Sequence, residues 1–258
     1  VKFYNRPIPG PETEGLGGPG LDANEATAPP AVSLQPGRLE ARPGQFKLEE
    51  SGRWIIGLQS LGLDDKRDAL LYVPSSYTPD HPAALVMMLH GAGGDAEHSM
   101  PFFQPLAEAA NLLVLAPPSR AKSWDIIYYD RFGPDVAFIN RALAKTFERY
   151  AIDPNHLAIG GFSDGASYAL CLGLANGDLF THVMAFSPGF MAPPQLHGKP
   201  SVFISHGTGD RILPIERCSR KIVPRLEKDN YKINYREFEG PHTVPATVIN
   251  EALSWFVA

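Results

Sequence analysis

The chain has 258 residues, 44% of them hydrophobic and 20% charged, a globular balance with enough apolar material for a substantial core. Its net charge is -5 and no basic stripe runs through it, which argues against nucleic acid as a partner. No apolar run reaches the ~20 residues of a membrane-spanning helix, and two cysteines, Cys171 and Cys218, are too few for a disulfide framework and read as small buried hydrophobes.

Residues 1–44 hold eight Pro and seven Gly with no hydrophobic period. Such a stretch cannot build its own core. It reads as an extension, 1–45, ahead of a folded domain over 46–258, able to lie on that domain through Phe3, Tyr4, Ile8 or Leu16. The first twenty residues lack the apolar core of a signal peptide. The expectation is a cytoplasmic protein, with export left open because the chain starts at Val and not Met.

From about Phe46 the composition changes, and from about residue 84 strand and helix alternate. Trp54–Leu58 and Ala69–Val73 read as strands joined by the polar turn 62–68, an antiparallel hairpin at a sheet edge. Ala84–Leu89 is apolar without alternation, as in a strand covered on both faces, and this predicts a mostly parallel sheet. His90-Gly91-Ala92-Gly93-Gly94 follows at once, without the spacing of a nucleotide-binding loop. It reads as an oxyanion loop in which the N–H of Ala92 faces the reaction centre. Residues 101–110 read as a helix and 112–116 as a strand. The loop 119–130 carries Trp124, Asp125, Tyr128 and Tyr129. Loops at the carboxyl ends of parallel strands hold ligands, so Trp124 and Tyr128 are candidates for a pocket wall.

Pro134 to Tyr150 is the clearest helix, with Val136, Ile139, Leu143, Phe147 and Tyr150 on one stripe and Pro134 in its first turn. Asp153-Pro154 breaks the chain before the strand at Leu157. Then comes Gly161-Phe162-Ser163-Asp164-Gly165, a G-x-S-x-G between strand and helix. A serine on so sharp a turn crowds the residues two before and two after it, which explains both glycines. The turn also aims the helix N-terminus, and the N–H of Asp164, at the site of a developing oxyanion. That helix stops at Asn176-Gly177, and Asp178 reads as an acid in the turn. Strands follow at 182–186, 201–205 and 233–238. Phe190 and Met191 follow the first of these and could line an acyl pocket. A helix from Pro214 is kinked or ended early by Pro224, and a last helix covers 245–256.

Alternating strand and helix select a three-layer α/β domain, a mostly parallel central sheet with helices on both faces. Three chemically suited residues each lie just past a strand: Ser163, then Asp210, then His242. Ser…Asp…His is the order of the α/β-hydrolase fold. Together, 89-LHGAGG-94, 161-GFSDG-165, 205-SHGTGD-210 and 240-GPH-242 resemble the phospholipase/carboxylesterase group of α/β-hydrolases, over about residues 57–257. Thioesterase and lysophospholipase members usually carry Gln after the nucleophile, and here it is Asp164.

The resemblance implies a serine carboxylesterase acting on small to medium acyl esters, with a small-molecule ester as partner and no cofactor or metal. An acyl thioesterase or lysophospholipase, or a polyester or feruloyl-type esterase, on the same three residues is the alternative. Homodimerisation stays open. His90 and His206 read as structural hydrogen-bonding residues in their loops.

Overall fold

The computed structural model describes residues 36–44, 46 and 54–258. Most of the Pro/Gly-rich segment, with Phe3, Tyr4, Ile8 and Leu16, lies outside these. The polar turn reverses the chain between β1 (Gly57–Ser60) and β2 (Leu70–Val73), which pair antiparallel. Asp68 holds that turn by accepting N–H bonds from Gly62 and Leu63. The remaining strands are β3 (Ala83–Leu89), β4 (Leu112–Ala116), β5 (Ile152–Phe162), β6 (His182–Phe186), β7 (Ser201–Gly207) and β8 (Ile233–Phe238). They form one eight-stranded sheet in the order β1-β2-β4-β3-β5-β6-β7-β8. Only β2 runs against its neighbours, so the expected mostly parallel sheet is present.

The lack of alternation in β3 has its predicted cause. Leu85, Met87 and Leu89 point into one core layer, and Val86 and Met88 into the other. Each such fully buried side chain contributes about 1.5–3 kcal/mol by leaving water. The segment after β3 departs from expectation. In place of one helix over 101–110 there are α1 (Ala96–Ser99), two 3-10 turns at Met100–Phe102 and Gln104–Leu106, and α2 (Ala107–Ala110). Pro101 and Pro105 lack the N–H that a continuous helix needs. The loop after β4 contains one helical turn, α3 (Asp125–Tyr128).

α4 (Pro134–Arg149) buries Val136, Ile139, Leu143 and Phe147 as its period requires. α5 (Asp164–Ala175) is buried on nearly every side, and packs against β3, β5 and β6. α6 (Ser219–Lys228) runs through Pro224 without ending there. Ile222, Val223 and Leu226 tie it to the core, and that packing offsets the lost backbone bond. α4, α5 and α6 share one layer; α1, α2 and α7 (Ala246–Phe256) contribute to the other. Both cysteines are buried and free.

The expected boundary at 45/46 is one of composition, and packing reaches further back. Leu39 is buried in the core. The Asn176 side chain accepts from Leu39 N (2.8 Å) and donates to Gly37 O (2.7 Å). Asn140 Oδ1 accepts from the N–H groups of Glu40 and Ala41. Asp178, read as a plain turn acid, pairs with Arg38 and Arg42 at 2.7 and 2.8 Å. The Arg38 guanidinium holds its carboxyl down at about 2.

Candidate active site

β5 ends at Phe162 and α5 begins at Asp164, so Ser163 is the whole of the turn between them. Its backbone sits at φ 57, ψ -117, a strained combination for a residue with a side chain. Local geometry explains the flanking glycines. A Cβ on Gly161 would stand 2.2 Å from the carbonyl carbon and oxygen of Gly165. A Cβ on Gly165 would stand 2.4 Å from Leu89 O. Gly161→Ala is therefore expected to cost well over the 1–3 kcal/mol of an ordinary overpacked site, because the obstacle is backbone and cannot rotate away. A thermal unfolding midpoint within two degrees of the parent's would contradict this.

Three strands bring the candidate residues together. Asp210 follows β7, and His242 follows β8 on a loop fixed by Thr208 N to Phe238 O (2.8 Å) and Gly209 N to Gly240 O (2.9 Å). His242 Nδ1 is 2.6 Å from Asp210 Oδ2, and His242 Nε2 is 2.9 Å from Ser163 Oγ. The ionised carboxylate only accepts, so Nδ1 carries the proton and Nε2 accepts from the serine hydroxyl. Asp210 Oδ1 accepts from the N–H groups of Ile212 (2.9 Å) and Leu213 (2.8 Å). The Phe162 ring packs 4.7 Å from the His242 ring and limits its tilt. Ser163 is 9% exposed, buried on the protein side yet reachable. A hydroxyl, an imidazole and a carboxylate linked in this way can pass a proton from oxygen to nitrogen as the oxygen attacks an electrophile.

The glycine-rich loop lies against the same serine. A side chain at Gly91 would stand 3.5 Å from Ser163 Cβ. Ala92, next along, is exposed at the crest of the loop. Asp164 opens α5, so its N–H has no carbonyl four residues back within the helix. Its carboxylate accepts from Ser123 Oγ at 2.5 Å.

Several groups brace the site; of these, only His90 was read from the sequence as a structural hydrogen-bonding residue. Arg67 donates to Ser119 O and to Gly94 O, both at 2.9 Å, and so ties two loops together. His90 donates from Nδ1 to Gly91 O (2.7 Å) and accepts at Nε2 from Ser119 N (2.9 Å). Burial lowers its pKa, which keeps the accepting nitrogen unprotonated. Ser167 Oγ accepts from Gly189 N at 2.9 Å and fixes the loop after β6 to α5. Asp125 and Asp135 are buried and hold 120–135 through backbone N–H groups. Burial pushes Asp135 up to about 6.

The substrate-wall candidates divide. Trp124 is fully buried, which leaves it no surface for a ligand. It donates from Nε1 to His90 O (2.9 Å) and stacks on Tyr168 at 4.9 Å, so it braces the loop from beneath. Met191 is also in the core. Both corrections have one origin, since a large apolar side chain in a loop can face either way. Phe190 is 37% exposed and Tyr128 53%. Ile212, not singled out beforehand, is 64% exposed two residues past Asp210.

Residues 136–256 match the model of the phospholipase/carboxylesterase family. A carboxylesterase of Bacillus cereus superposes with a TM-score of 0.58 at 17% identity, over 75% of this chain and 94% of that one. The chain has the α/β-hydrolase fold, and its second half is similar to the phospholipase/carboxylesterase family. The S-formylglutathione hydrolase of Staphylococcus aureus has the same fold as this chain, with a TM-score of 0.61 at 17% identity over 80% of this chain and 100% of that one. In sequence, the chain is 28% identical to a probable feruloyl esterase C of Aspergillus oryzae over 159 residues, 58% of this chain and 57% of the relative. It is 26% identical to a bifunctional acetylxylan esterase/xylanase of Neocallimastix patriciarum over 68% of this chain and 27% of the relative. The chain thus spans little more than half the length of the first of these curated relatives. Among the described residues no helix is long and apolar enough to cross a membrane.

Proposed function

We propose that this α/β-hydrolase cleaves small to medium carboxylic esters through an acyl-serine intermediate. The observation that carries the reading is the unbroken relay from Ser163 Oγ to His242 (2.9 Å) and from His242 to Asp210 (2.6 Å). Ser163 Oγ attacks the ester carbonyl and His242 Nε2 takes its proton. Asp210 holds the tautomer and stabilises the imidazolium. The carbonyl oxygen becomes an oxyanion, received by the N–H groups of Ala92 and Asp164; one such donor is worth about 2.7–4 kcal/mol. The C–O bond to the alcohol then breaks, and His242 returns the proton to the leaving oxygen. Water, deprotonated by the same imidazole, releases the acid and restores Ser163.

The names of the sequence relatives favour esters with an aromatic acyl group as a second reading on the same residues. Two exposed apolar side chains would serve either. Phe190 lies on a loop whose Gly189 faces Leu213, and Ile212 precedes Leu213. We assign them to the rim that receives the acyl chain, with Tyr128 as a further candidate.

The test is a series of p-nitrophenyl acetate, butyrate and octanoate with methyl ferulate alongside, together with fluorophosphonate labelling. Turnover and a single label on Ser163 are expected; no turnover of any of these esters and no label would end the reading. In the double variant Phe190→Ser, Ile212→Ser, kcat/KM for octanoate should fall roughly 10-fold. Acetate should be unchanged. An equal loss for both esters would remove the rim assignment.

A further inference from the structure

We propose that His206 is a positioning residue for Asp210, fixing the carboxylate whose other face orients His242. The inference rests on the triad reading above and adds a fourth side chain to it. His206 lies on β7, four residues before Asp210, and its ring is wholly buried. Nε2 is 2.7 Å from Leu213 O, and Asp210 Oδ2 lies 3.2 Å from the same nitrogen. Nδ1 is 2.7 Å from Ser219 Oγ at the start of α6.

The partners settle the ring's proton. A carbonyl oxygen only accepts, so Nε2 carries the hydrogen and Nδ1 accepts from the Ser219 hydroxyl. Burial holds the pKa of His206 below its ordinary value. The ring is therefore a neutral donor with one tautomer, beside an anion.

This closes a loop of bonds around the carboxylate. Leu213 gives its N–H to Asp210 Oδ1 at 2.8 Å, and its own carbonyl is held by His206. Ile212 N holds the same oxygen at 2.9 Å. With Oδ1 gripped by the turn, Oδ2 is left facing two imidazoles, His242 at 2.6 Å and His206 at 3.2 Å. Removing the His206 ring would free the Leu213 carbonyl and leave space under Oδ2. It would also remove a dipole that spreads the carboxylate's charge. The whole charge would then fall on His242 and raise the pH at which that base is freed.

The titratable groups around His206 are few. Asp210 and His242 lie on the triad side. Glu237 stands opposite on β8, its carboxyl held down at about 2 by Arg220. Cys218 precedes Ser219, and burial pushes its thiol up to about 11. Neither of these changes charge between pH 5 and 8, where the acid limb of kcat would be read.

The experiment compares His206→Leu, His206→Gln and Ser219→Ala with the parent, all as the full chain. It measures kcat and KM for p-nitrophenyl butyrate from pH 5 to 9, thermal unfolding, and fluorophosphonate labelling. His206→Leu is expected to lower kcat about 10–100-fold through a misplaced base. KM should stay nearly constant, and the acid limb should move to higher pH. His206→Gln places an amide N–H near the position of Nε2 and should recover part of the loss. Ser219→Ala leaves Nδ1 without its donor and the ring less firmly held, and should shift both quantities the same way by less. A folded His206→Leu with the parent's kcat and acid limb overturns the proposal. Where His206→Leu fails to unfold cooperatively, unchanged kcat and acid limb in both His206→Gln and Ser219→Ala overturn it equally. Absence of label on Ser163 in the parent would defeat the triad reading itself; a labelled parent with unaffected variants would defeat the positioning role alone.

Discussion

Ser163→Ala is expected to lower kcat for p-nitrophenyl butyrate by roughly 10⁴–10⁶-fold, with little change in KM. The variant removes one oxygen and leaves the elbow intact, because alanine fits wherever serine does. His242 keeps its bond to Asp210, and the backbone donors of the elbow and glycine-rich loop remain. On the proposed mechanism the atom that forms the covalent intermediate is lost, so the residual rate reflects only binding and oxyanion stabilisation. Steady-state rates on protein free of parent enzyme, with loss of the fluorophosphonate label, provide the check. Turnover within tenfold of the parent would reject Ser163 as nucleophile.

Asp210→Asn should come close behind, with kcat down by about 10⁴-fold. The surroundings of the carboxylate determine how the amide would sit. Oδ1 receives the N–H groups of Ile212 and Leu213, so the amide oxygen must take that place. The amide NH₂ would then face His242 Nδ1, which it can approach only if that nitrogen is unprotonated. The proton would move to Nε2 and point at Ser163, leaving no base for the hydroxyl. The fold should survive, since the turn keeps both bonds. Measured kcat alongside the circular dichroism spectrum tests this; a folded Asp210→Asn variant with more than a tenth of parental kcat would contradict it.

Some of this site was legible in the sequence because its constraints are local. Gly161 and Gly165 sit two residues either side of Ser163, and the clash that forbids larger side chains is written in that spacing. Asp210 and His242 could be placed because each follows a strand whose neighbours are parallel, so chain order maps onto one sheet edge. The bracing roles of His90 and His206 were read in outline, but their partners were not legible. Trp124 and His90 are 34 residues apart, and Arg67 reaches a carbonyl 52 residues on. Nothing in local composition marks such pairs. Trp124 and Met191 misled for a related reason: whether an apolar side chain in a loop faces a ligand or the core depends on what packs above it. The broken helix at 100–110 is a different case. Pro101 and Pro105 were visible, and their missing N–H groups outweighed the apolar pattern around them.

Asn176 and Asn140 have a practical corollary for anyone shortening this gene. Both amides lend their hydrogen-bonding capacity to the main chain of residues 37–41, and Asn176 is wholly enclosed. A recombinant version started at residue 46, where the sequence begins to look ordinary, would open a polar furrow beside the end of α5 and leave Leu39's berth unfilled. The sensible cut site is upstream of Pro36.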